Sequence, residues 1–421
     1  MDTDGECSLF AFADGGWWGL PQAGSPHRRA VLLSPGRVKL RCGRSWYLSN
    51  ITSLGEHQLK IALLGAGHIG ETIARLLHNA SHYDVTVFDK NKDALRVLSD
   101  EGMKTQQIDF VSPCKVKAVE GIDAIVNALP YQLAIPAAHM ALESGCHYFD
   151  LTEDVSATKE IRRIAEGART AFMPQCGLAP GFIGIAAHHL AMQFDSLQEV
   201  KMRVGALPAF PTNAMKYNLT WSVDGLINEY CHFCECVHGG RKAEVLPLEG
   251  LESFSLDGIE YEAFNTSGGL GTLCDTLEGK VQTLNYKTVR YPGHRDLMKF
   301  LLDELQLKND QKLLKDILRK STPATMQDVV LVFVTVSGVK NGQLIQEAFA
   351  RKIFAERDGP RPVSAIQITT AAGICAALDL FRQHRLPTAG FIPQEAVSLP
   401  EFLANEFGQA YQQSRQVESI G

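Results

Sequence analysis

The chain has 421 residues, of which 45% are hydrophobic and 21% charged, and these proportions are typical of a globular protein with enough material for two domains. Its formal net charge of −6 argues against a nucleic-acid partner, which would favour a basic surface. No apolar run approaches the about 18 residues of a membrane span, and the acidic start MDTDGECSLF does not resemble a secretory signal. We therefore expect a cytoplasmic protein that binds neither nucleic acid nor membrane.

The ten cysteines show no regular spacing, which favours reduced thiols over a disulfide framework in a chain of this length. One segment, CHFCECVH (residues 231–238), gathers three cysteines and a histidine, which are side chains that zinc prefers. No second ligand pair follows at zinc-finger spacing, and cysteine is also a common buried hydrophobe. We interpret the segment as the continuation of a helix that ends at a Gly-Gly turn, and we expect no metal site.

Residues 1–57 differ from the rest of the chain. They contain Gly, Pro and Ser at many positions and show no sustained period of 2 or 3.6 residues. We interpret them as a poorly ordered extension.

Strand and helix patterns alternate over residues 58–175. The predicted strands are, in chain order, LKIALLG, DVTVFD, DAIVNALP, HYFDL and AFMP. The predicted helices between them are HIGETIARLLHNA, KDALRVLSDEG, LAIPAAHMALESG and TKEIRRIAEGARTA. This alternation predicts an α/β domain with a doubly wound parallel sheet of the Rossmann type.

After residue 175 the predicted strands have longer connections. They are LQEVKMRVGAL, KAEVLPL, IEYEAF, KVQTLNYKTVRY, VVLVFVTVSG and EAFARKIFAE. Asn341-Gly342 predicts a hairpin between the last two strands, and DLMKFLLDEL and QKLLKDILRK predict helices. We expect an inserted α+β domain over residues 176–355. Within residues 356–421, the small-residue pattern SAIQITTAAGICAALDLFRQH predicts a long helix that returns to the Rossmann domain.

The hexapeptide GAGHIG predicts a dinucleotide site. Its glycines, Gly65, Gly67 and Gly70, have the G-x-G-x-x-G spacing between a predicted strand and a predicted helix. The first permits a tight turn, the second lets the backbone approach a pyrophosphate, and the third allows close helix–strand packing. The start of the helix, including His68 and Ile69, offers N–H groups and a partial positive charge to the phosphates.

Asp89, at the end of the next strand, completes this pattern. Its carboxylate can accept hydrogen bonds from ribose hydroxyls and would repel a 2′-phosphate, although Lys90 beside it weakens that repulsion. The predicted cofactor is therefore NAD, with NADP less favoured. Loops after later strands add further predicted cofactor contacts, namely Ala128, Leu129, Pro130, Gly177, Leu178 and Pro180. The alternative is that the glycines only form a tight βα turn.

Two ionisable residues follow the carboxyl ends of predicted strands, where a Rossmann sheet binds its ligands. Tyr131 lies in the loop after DAIVNA, and Asp150 ends the strand HYFD. Both are candidates for the chemical site. Alternatively, both have only structural roles, with Tyr131 as an aromatic residue at the edge of the core and Asp150 as the N-cap of the next helix.

Several segments resemble the saccharopine dehydrogenase family, in order and with matching spacing over residues 60–393. They are NALPY, CGLAPGFIGI, GALPAF, KYNLTWSVDGLINEY, EAFNTSGG and YKTVRYPGH. Within the family the nearest branch is lysine 6-dehydrogenase, because TSGG and the final His294 match its pattern. The resemblance does not include residues 1–57.

This resemblance implies a Rossmann domain, an inserted domain that binds an amino acid, and a homo-oligomer, expected to be a dimer. It also implies NAD(P)-dependent oxidation at a carbon that bears an amine. The motifs that carry it add substrate-binding candidates, namely Tyr217, Trp221, Ser222, Thr266 and Ser267.

The stretch TLNYKTVRYPGH (residues 283–294) then has an interpretation. Arg290 offers a planar, bidentate donor for the carboxylate of an amino acid. Lys287 would add positive charge, and the Pro-Gly turn would hold His294 beside the substrate. Alternatively, Arg290 pairs with a surface acid at the end of a strand.

Oxidation of a lysine side chain needs a proton acceptor, because its ammonium group has a pKa of about 10.4 and must lose a proton before hydride leaves. Asp150, Tyr131 and His294 are the predicted acceptors. Hydride would pass to C4 of NAD, and water would hydrolyse the imine to a semialdehyde and ammonia.

Three functions stay open. They are a lysine 6-dehydrogenase, a saccharopine or carboxylated-polyamine dehydrogenase, and a non-catalytic NAD-binding protein.

Overall fold

The computed structural model describes residues 58–110, 116–355 and 362–412, together with four short strands nearer the start of the chain. These strands form two antiparallel hairpins and are β1 (Phe10–Ala13), β2 (Gly16–Gly19), β3 (Val38–Cys42) and β4 (Ser45–Ser49). The rest of the predicted extension, residues 1–57, lies outside the described residues, so its order stays a prediction. Residues 59–421 form a separate compact unit, which contains all the elements below.

A parallel sheet of seven strands forms the Rossmann domain. Six of them are, in chain order, β5 (Leu59–Leu64), β6 (Tyr83–Asp89), β7 (Lys104–Gln107), β8 (Ala124–Asn127), β9 (His147–Asp150) and β10 (Ala171–Met173). The helices among them are α1 (His68–Asn79), α2 (Lys92–Asp100), α3 (Ala134–Ser144) and α4 (Val155–Ile164). The spatial order β7-β6-β5-β8-β9-β10 is that of a doubly wound fold with its switch point between β5 and β8. The predicted Rossmann sheet is confirmed.

A second, mixed sheet of eight strands follows. Its strands are β11 (Ser196–Pro208), β12 (Cys234–His238), β13 (Arg241–Val245), β14 (Glu252–Leu256), β15 (Ile259–Asn265), β16 (Val281–Arg290), β17 (Asp328–Lys340) and β18 (Gln343–Phe354). The helices of this part are α5 (Phe182–Ala191), α6 (Val223–Cys231), α7 (Leu273–Leu277), α8 (His294–Lys299) and α9 (Gln311–Ser321). The predicted Asn341-Gly342 turn joins β17 to β18 with positive φ at both residues.

Strand alternation decides which side chains of the mixed sheet reach the core. Val330, Val332 and Val334 of β17 are fully buried in the same hydrophobic cluster as α5 and the C-terminal helix. The intervening Val329 and Leu331 belong to a separate cluster on the opposite face. Both faces of the centre of this sheet are therefore covered, which explains the near-continuous apolar sequence VVLVFV.

The last segment contains α10 (Ala365–Arg382), β19 (Gly390–Phe391) and α11 (Leu399–Ala404), and β19 adds the seventh parallel strand beside β10. Asp328 of β17 accepts hydrogen bonds from the first backbone N–H groups of α10. Further along the helix, Asp379 accepts from the hydroxyl of Tyr83 of β6 at 2.6 Å. The helix is long and apolar enough to span a membrane, but 83% of it is buried inside the protein, so packing accounts for its composition.

The cysteine-rich segment differs from its predicted helical form. Helix α6 ends at Cys231, and the chain then forms β12, in which Cys234 and Cys236 are buried. Within the described residues, no group of three or more His, Cys, Asp or Glu side chains is arranged to hold a metal ion. Packing therefore explains these cysteines.

Candidate active site

A cleft of about 830 Å³ is lined by residues from both sheets. The glycine turn, the ends of β6 and β8, and the loops after β9 and β10 line its Rossmann side. Residues of β11, β16 and α6 line the other side, together with the start of α10. The predicted nucleotide site and Arg290 therefore face the same cavity.

The glycine turn has the shape that a dinucleotide requires. Gly65 has φ +103°, and a Cβ there would crowd the carbonyl group of Ala128. A Cβ at Gly70 would overlap the carbonyl oxygen of Gly65, which makes this glycine necessary for close helix–strand packing. At Gly67, by contrast, no atom lies within 4 Å of the Cβ position, so the turn is open where a pyrophosphate would approach the start of α1.

Asp89 is fixed at the edge of this turn. Its carboxylate accepts hydrogen bonds from the backbone N–H groups of Ala66 and Asn91, each at 2.7 Å. The side chain also lines the cleft, where a ribose would lie. The other predicted cofactor residues line the same cleft, namely Gly65, Gly67, His68, Ile69, Gly70, Lys90, Ala128, Leu129, Pro130, Gly177, Leu178 and Pro180. Their contacts with a cofactor stay a prediction.

Asp150 does not reach the cleft, which corrects its prediction as a proton acceptor. Its buried carboxylate accepts from the hydroxyl of Tyr148 at 2.8 Å and from the backbone N–H groups of Thr152 and Gln175 at 3.0 and 2.9 Å. Burial raises the pKa of Asp150 to about 6. The carboxylate joins two loops at the end of the sheet, while Asp154 is the N-cap of α4.

Two other carboxyl groups, Glu153 and Glu229, do line the cleft. Burial raises the pKa of Glu153 to about 7, and the neighbouring charge of Asp154 adds to the shift. Burial also raises the pKa of Glu229 to about 8, although the charge of Arg290 opposes this shift. Neither residue is predicted by the sequence motifs. The available signals were an acid three residues after Asp150 and an acid on the apolar helix α6.

Tyr131 lies in the cleft as predicted, in a short 3-10 turn after β8. Burial raises the pKa of its phenol, and the charge of Asp154 adds to this effect. The phenol is therefore protonated at neutral pH and can donate a hydrogen bond to a ligand.

Arg290 lines the cleft with only 2% of its surface exposed. Its Nε donates to the hydroxyl of Tyr230 at 3.0 Å, and its Nη1 donates to the carbonyl of Val289 at 2.8 Å. The guanidinium also lies 5.0 Å from the ring centre of Tyr217. Among the described residues, no carboxylate forms an ion pair with it. The charge of Glu229 acts on the guanidinium without an ion pair between them, and the carboxylate of a ligand would compensate the buried cation directly.

Lys287 points away from the cleft, which corrects its prediction as a substrate contact. Its Nζ donates to the carbonyl of Gly250 at 2.6 Å and forms an ion pair with Glu252 at 2.8 Å. Successive side chains of a strand alternate between faces, so Tyr286, Thr288 and Arg290 face the cleft while Lys287 lies behind β16.

His294 also lies outside the cleft, and this corrects its catalytic prediction. Both of its ring nitrogens have protein partners, the hydroxyl of Tyr230 and the carbonyl of Met215, each at 3.1 Å. Burial, with the charge of Arg290, lowers the pKa of His294 to about 3. It is therefore a neutral group that contacts the residues behind the pocket.

The remaining substrate candidates divide into two groups. Trp221 and Ser222 line the cleft, and the hydroxyl of Ser222 also caps α6. Tyr217, Thr266 and Ser267 are buried behind the lining residues. Of these, Thr266 supports the wall through a 2.7 Å hydrogen bond between its hydroxyl and that of Thr288.

The two glycines of the motif TSGG allow close packing against neighbouring residues. Gly268 has φ +86°, and a Cβ there would overlap the backbone oxygen of Glu153 on the Rossmann side. A Cβ at Gly269 would overlap the ring of Tyr286. These glycines therefore let the inserted domain approach Glu153 closely.

A doubly wound sheet, a glycine turn open to a dinucleotide and a facing pocket with ionisable side chains define an oxidoreductase that binds NAD or NADP. The sequence matches the saccharopine dehydrogenase NADP-binding domain over residues 61–172 and the saccharopine dehydrogenase C-terminal domain over residues 177–406. The chain belongs to the saccharopine dehydrogenase family, as the resemblance in its sequence predicted.

Solved structures share the fold at low sequence identity. Saccharopine dehydrogenase (L-Glu forming) of Saccharomyces cerevisiae has a TM-score of 0.68 and 15% identity, over 84% of this chain and 96% of that chain. The homospermidine synthase of Legionella pneumophila, solved with NAD, has a TM-score of 0.58 and 14% identity, over 84% and 90% of the respective chains.

A curated relative, glutamyl-tRNA reductase of Sulfurisphaera tokodaii, is 23% identical over 148 residues. The match spans about a third of the length of that relative, since it includes 34% of each chain.

Proposed function

We propose that this protein is an NAD-dependent L-lysine 6-dehydrogenase, which oxidises the side-chain amine to the 6-semialdehyde and releases ammonia. The observation that carries the proposal is Arg290, a buried guanidinium that faces the nucleotide wall and forms no ion pair with an acid among the described residues. The α-carboxylate of an amino acid is a planar anion that matches it. The side chain of the substrate would then extend toward the Rossmann side of the cleft.

The carboxyl groups of the cleft support oxidation at an amine. Lysine enters with a protonated side chain, because its pKa is about 10.4. Glu153 accepts this proton, since its raised pKa of about 7 suits a general base near neutral pH. Glu229, on the other wall, has a raised pKa of about 8, so its carboxyl group is largely protonated at neutral pH and can donate a hydrogen bond to a polar group in the pocket.

Bound against the glycine turn, the nicotinamide cofactor supplies the hydride acceptor. The residues around the reacting atoms limit the access of water. Leu178, Val204 and Ala206 are buried apolar residues of the cleft wall. Tyr131 donates a hydrogen bond from the Rossmann side and helps to fix the position of the substrate.

The choice of NAD rests on Asp89. Replacement of Asp89 by alanine is expected to weaken NAD binding roughly tenfold and to relax the discrimination against NADP, because it removes a charged acceptor for the ribose. Fluorescence titration with both cofactors measures the effect. Asp93→Ala, on the exposed start of α2, is the control and should bind NAD normally. An unchanged cofactor preference in Asp89→Ala would contradict the ribose assignment.

A saccharopine dehydrogenase is the second candidate. Arg319 of α9 also lines the cleft, is exposed, and forms no ion pair within the part of the chain that the structure describes. A second guanidinium without an ion pair in one cavity favours a substrate with an additional carboxylate.

Turnover assays distinguish these functions. The protein is incubated with NAD, or with NADP, and separately with L-lysine, saccharopine or norleucine, while the absorbance of the reduced cofactor is followed. Lysine-dependent reduction is expected, and norleucine, which lacks the side-chain amine, is the matched control. Reduction with saccharopine alone would favour the second candidate, and NAD binding without turnover of any substrate would indicate a non-catalytic protein.

A further inference from the structure

A chain of buried polar groups behind the cleft ends on Arg290. The Nε of Arg290 is 3.0 Å from the hydroxyl oxygen of Tyr230, which is 3.1 Å from Nε2 of His294. The Nδ1 of the same histidine is 3.1 Å from the carbonyl oxygen of Met215. Tyr230 and His294 are 2% and 1% exposed and do not line the cleft. Neither can therefore contact the substrate directly.

The two end groups, a carbonyl and a guanidinium, fix which atom donates in each of these hydrogen bonds. A carbonyl oxygen only accepts, so Nδ1 of His294 must carry the proton and donate to Met215. The other nitrogen, Nε2, is then an acceptor for the hydroxyl of Tyr230. That hydroxyl oxygen in turn accepts from Arg290, whose guanidinium can only donate. Each hydrogen bond therefore has one direction, and reversing any of them would leave a buried donor facing a donor or a buried acceptor facing an acceptor.

The same contacts leave one side of the guanidinium for a ligand. Nε is bonded to Tyr230, Nη1 is bonded to the backbone of Val289, and the face lies against the ring of Tyr217. Within the residues that the structure describes, Nη2 donates no hydrogen bond to the protein. The long side chain is thus held in one orientation, and bidentate binding of a carboxylate depends strongly on orientation.

We infer that Tyr230 and His294 are positioning residues that orient Arg290 for the carboxylate of the substrate, and thereby make the protein select amino acids over simple amines. This inference rests on the proposed role of Arg290. Tyr230 fixes the guanidinium directly. His294 acts one step further back, because it accepts the proton of Tyr230 and so turns the lone pairs of the hydroxyl toward Arg290.

Tyr230→Phe tests the inference, with lysine and 1,5-diaminopentane as substrates. The variant is expected to raise the KM for lysine about tenfold, which corresponds to the loss of one hydrogen bond to a charged group. The values of kcat and of the Kd for NAD should stay nearly unchanged. The diamine has no carboxylate, so its kcat/KM should be the same in the variant and the unmodified protein. Tyr261→Phe is the matched control, because the buried hydroxyl of Tyr261 has no hydrogen-bond partner in the described part of the chain.

A pair of histidine variants gives a second measurement. His294→Gln keeps an acceptor near the position of Nε2 and should retain the KM for lysine, whereas His294→Phe removes it and should resemble Tyr230→Phe. If Tyr230→Phe unfolds, as thermal melting would reveal, this pair decides the question. The inference would be overturned if Tyr230→Phe raised the KM for lysine and the KM for the diamine equally. It would also be overturned if the two histidine variants had the same KM for lysine. If Arg290→Ala weakens lysine binding while Tyr230→Phe does not, positioning is wrong but the proposed function stands.

Discussion

Replacement of Glu153 by glutamine is expected to lower kcat by about 10²- to 10⁴-fold, the usual range for loss of a general base. Glutamine keeps the size of the side chain but cannot accept the proton of the substrate ammonium. The KM for lysine and the Kd for NAD should change little, since Arg290 and the glycine turn are intact. Initial rates at saturating lysine and NAD measure the effect.

The pH profile provides an independent readout of Glu153. Because its pKa is raised to about 7, the carboxyl group is protonated and inactive as a base below this value. The kcat of the unmodified protein should therefore rise with pH through about 7, and this rise should be lost in Glu153→Gln. Glu160→Gln is the matched control, because Glu160 is paired with Arg163 on the surface of α4. A fully active Glu153→Gln would assign the proton acceptor to another ionisable group of the cleft.

Arg290→Ala should raise the KM for lysine by roughly 30- to 1,000-fold, which corresponds to about 2 to 4 kcal/mol for the loss of a buried charge partner. The Kd for NAD should remain nearly unchanged, because the glycine turn proposed to bind it lies on the opposite wall. Steady-state kinetics with lysine and titration with NAD separate the two effects.

Two variants on the same strand sharpen this experiment. Arg290→Lys keeps the charge but loses the planar fork, so its KM should lie between those of the unmodified protein and Arg290→Ala. Lys287→Ala removes a cation from the opposite face of β16 and should leave the KM for lysine unchanged. An equal loss of lysine and NAD affinity in Arg290→Ala would contradict the assignment of Arg290 to the substrate pocket.

The nucleotide half of the site could be predicted because its signals are local. The glycine spacing, the strand before it and Asp89 all lie within a short segment, and each glycine has a backbone reason that the structure displays. The alternation of strands and helices likewise predicted the Rossmann sheet, whose order follows from general rules of connection.

The substrate half depends on contacts that sequence spacing does not reveal. Asp150 ends its strand as predicted. Its carboxylate, however, accepts hydrogen bonds from donors that include the backbone N–H of Gln175, in the loop after the next strand. His294 meets Tyr230, which lies 64 residues earlier in the chain. The error at Lys287 was avoidable, because residues separated by three positions on a strand face opposite sides.

The close approach of Gly268 to the backbone of Glu153 has a consequence for the proposed reaction. One end of the substrate would meet Glu153, held by the inserted domain, and the other would meet Arg290, held on the central strand of the same domain. The backbone of Glu153 is packed against Gly268, and the backbone of Arg290 is paired with Glu262 in the mixed sheet. Under the proposed function, the number of methylene groups between amine and carboxylate would have to match the separation of these two side chains, and chain length would then decide which amino acid is accepted.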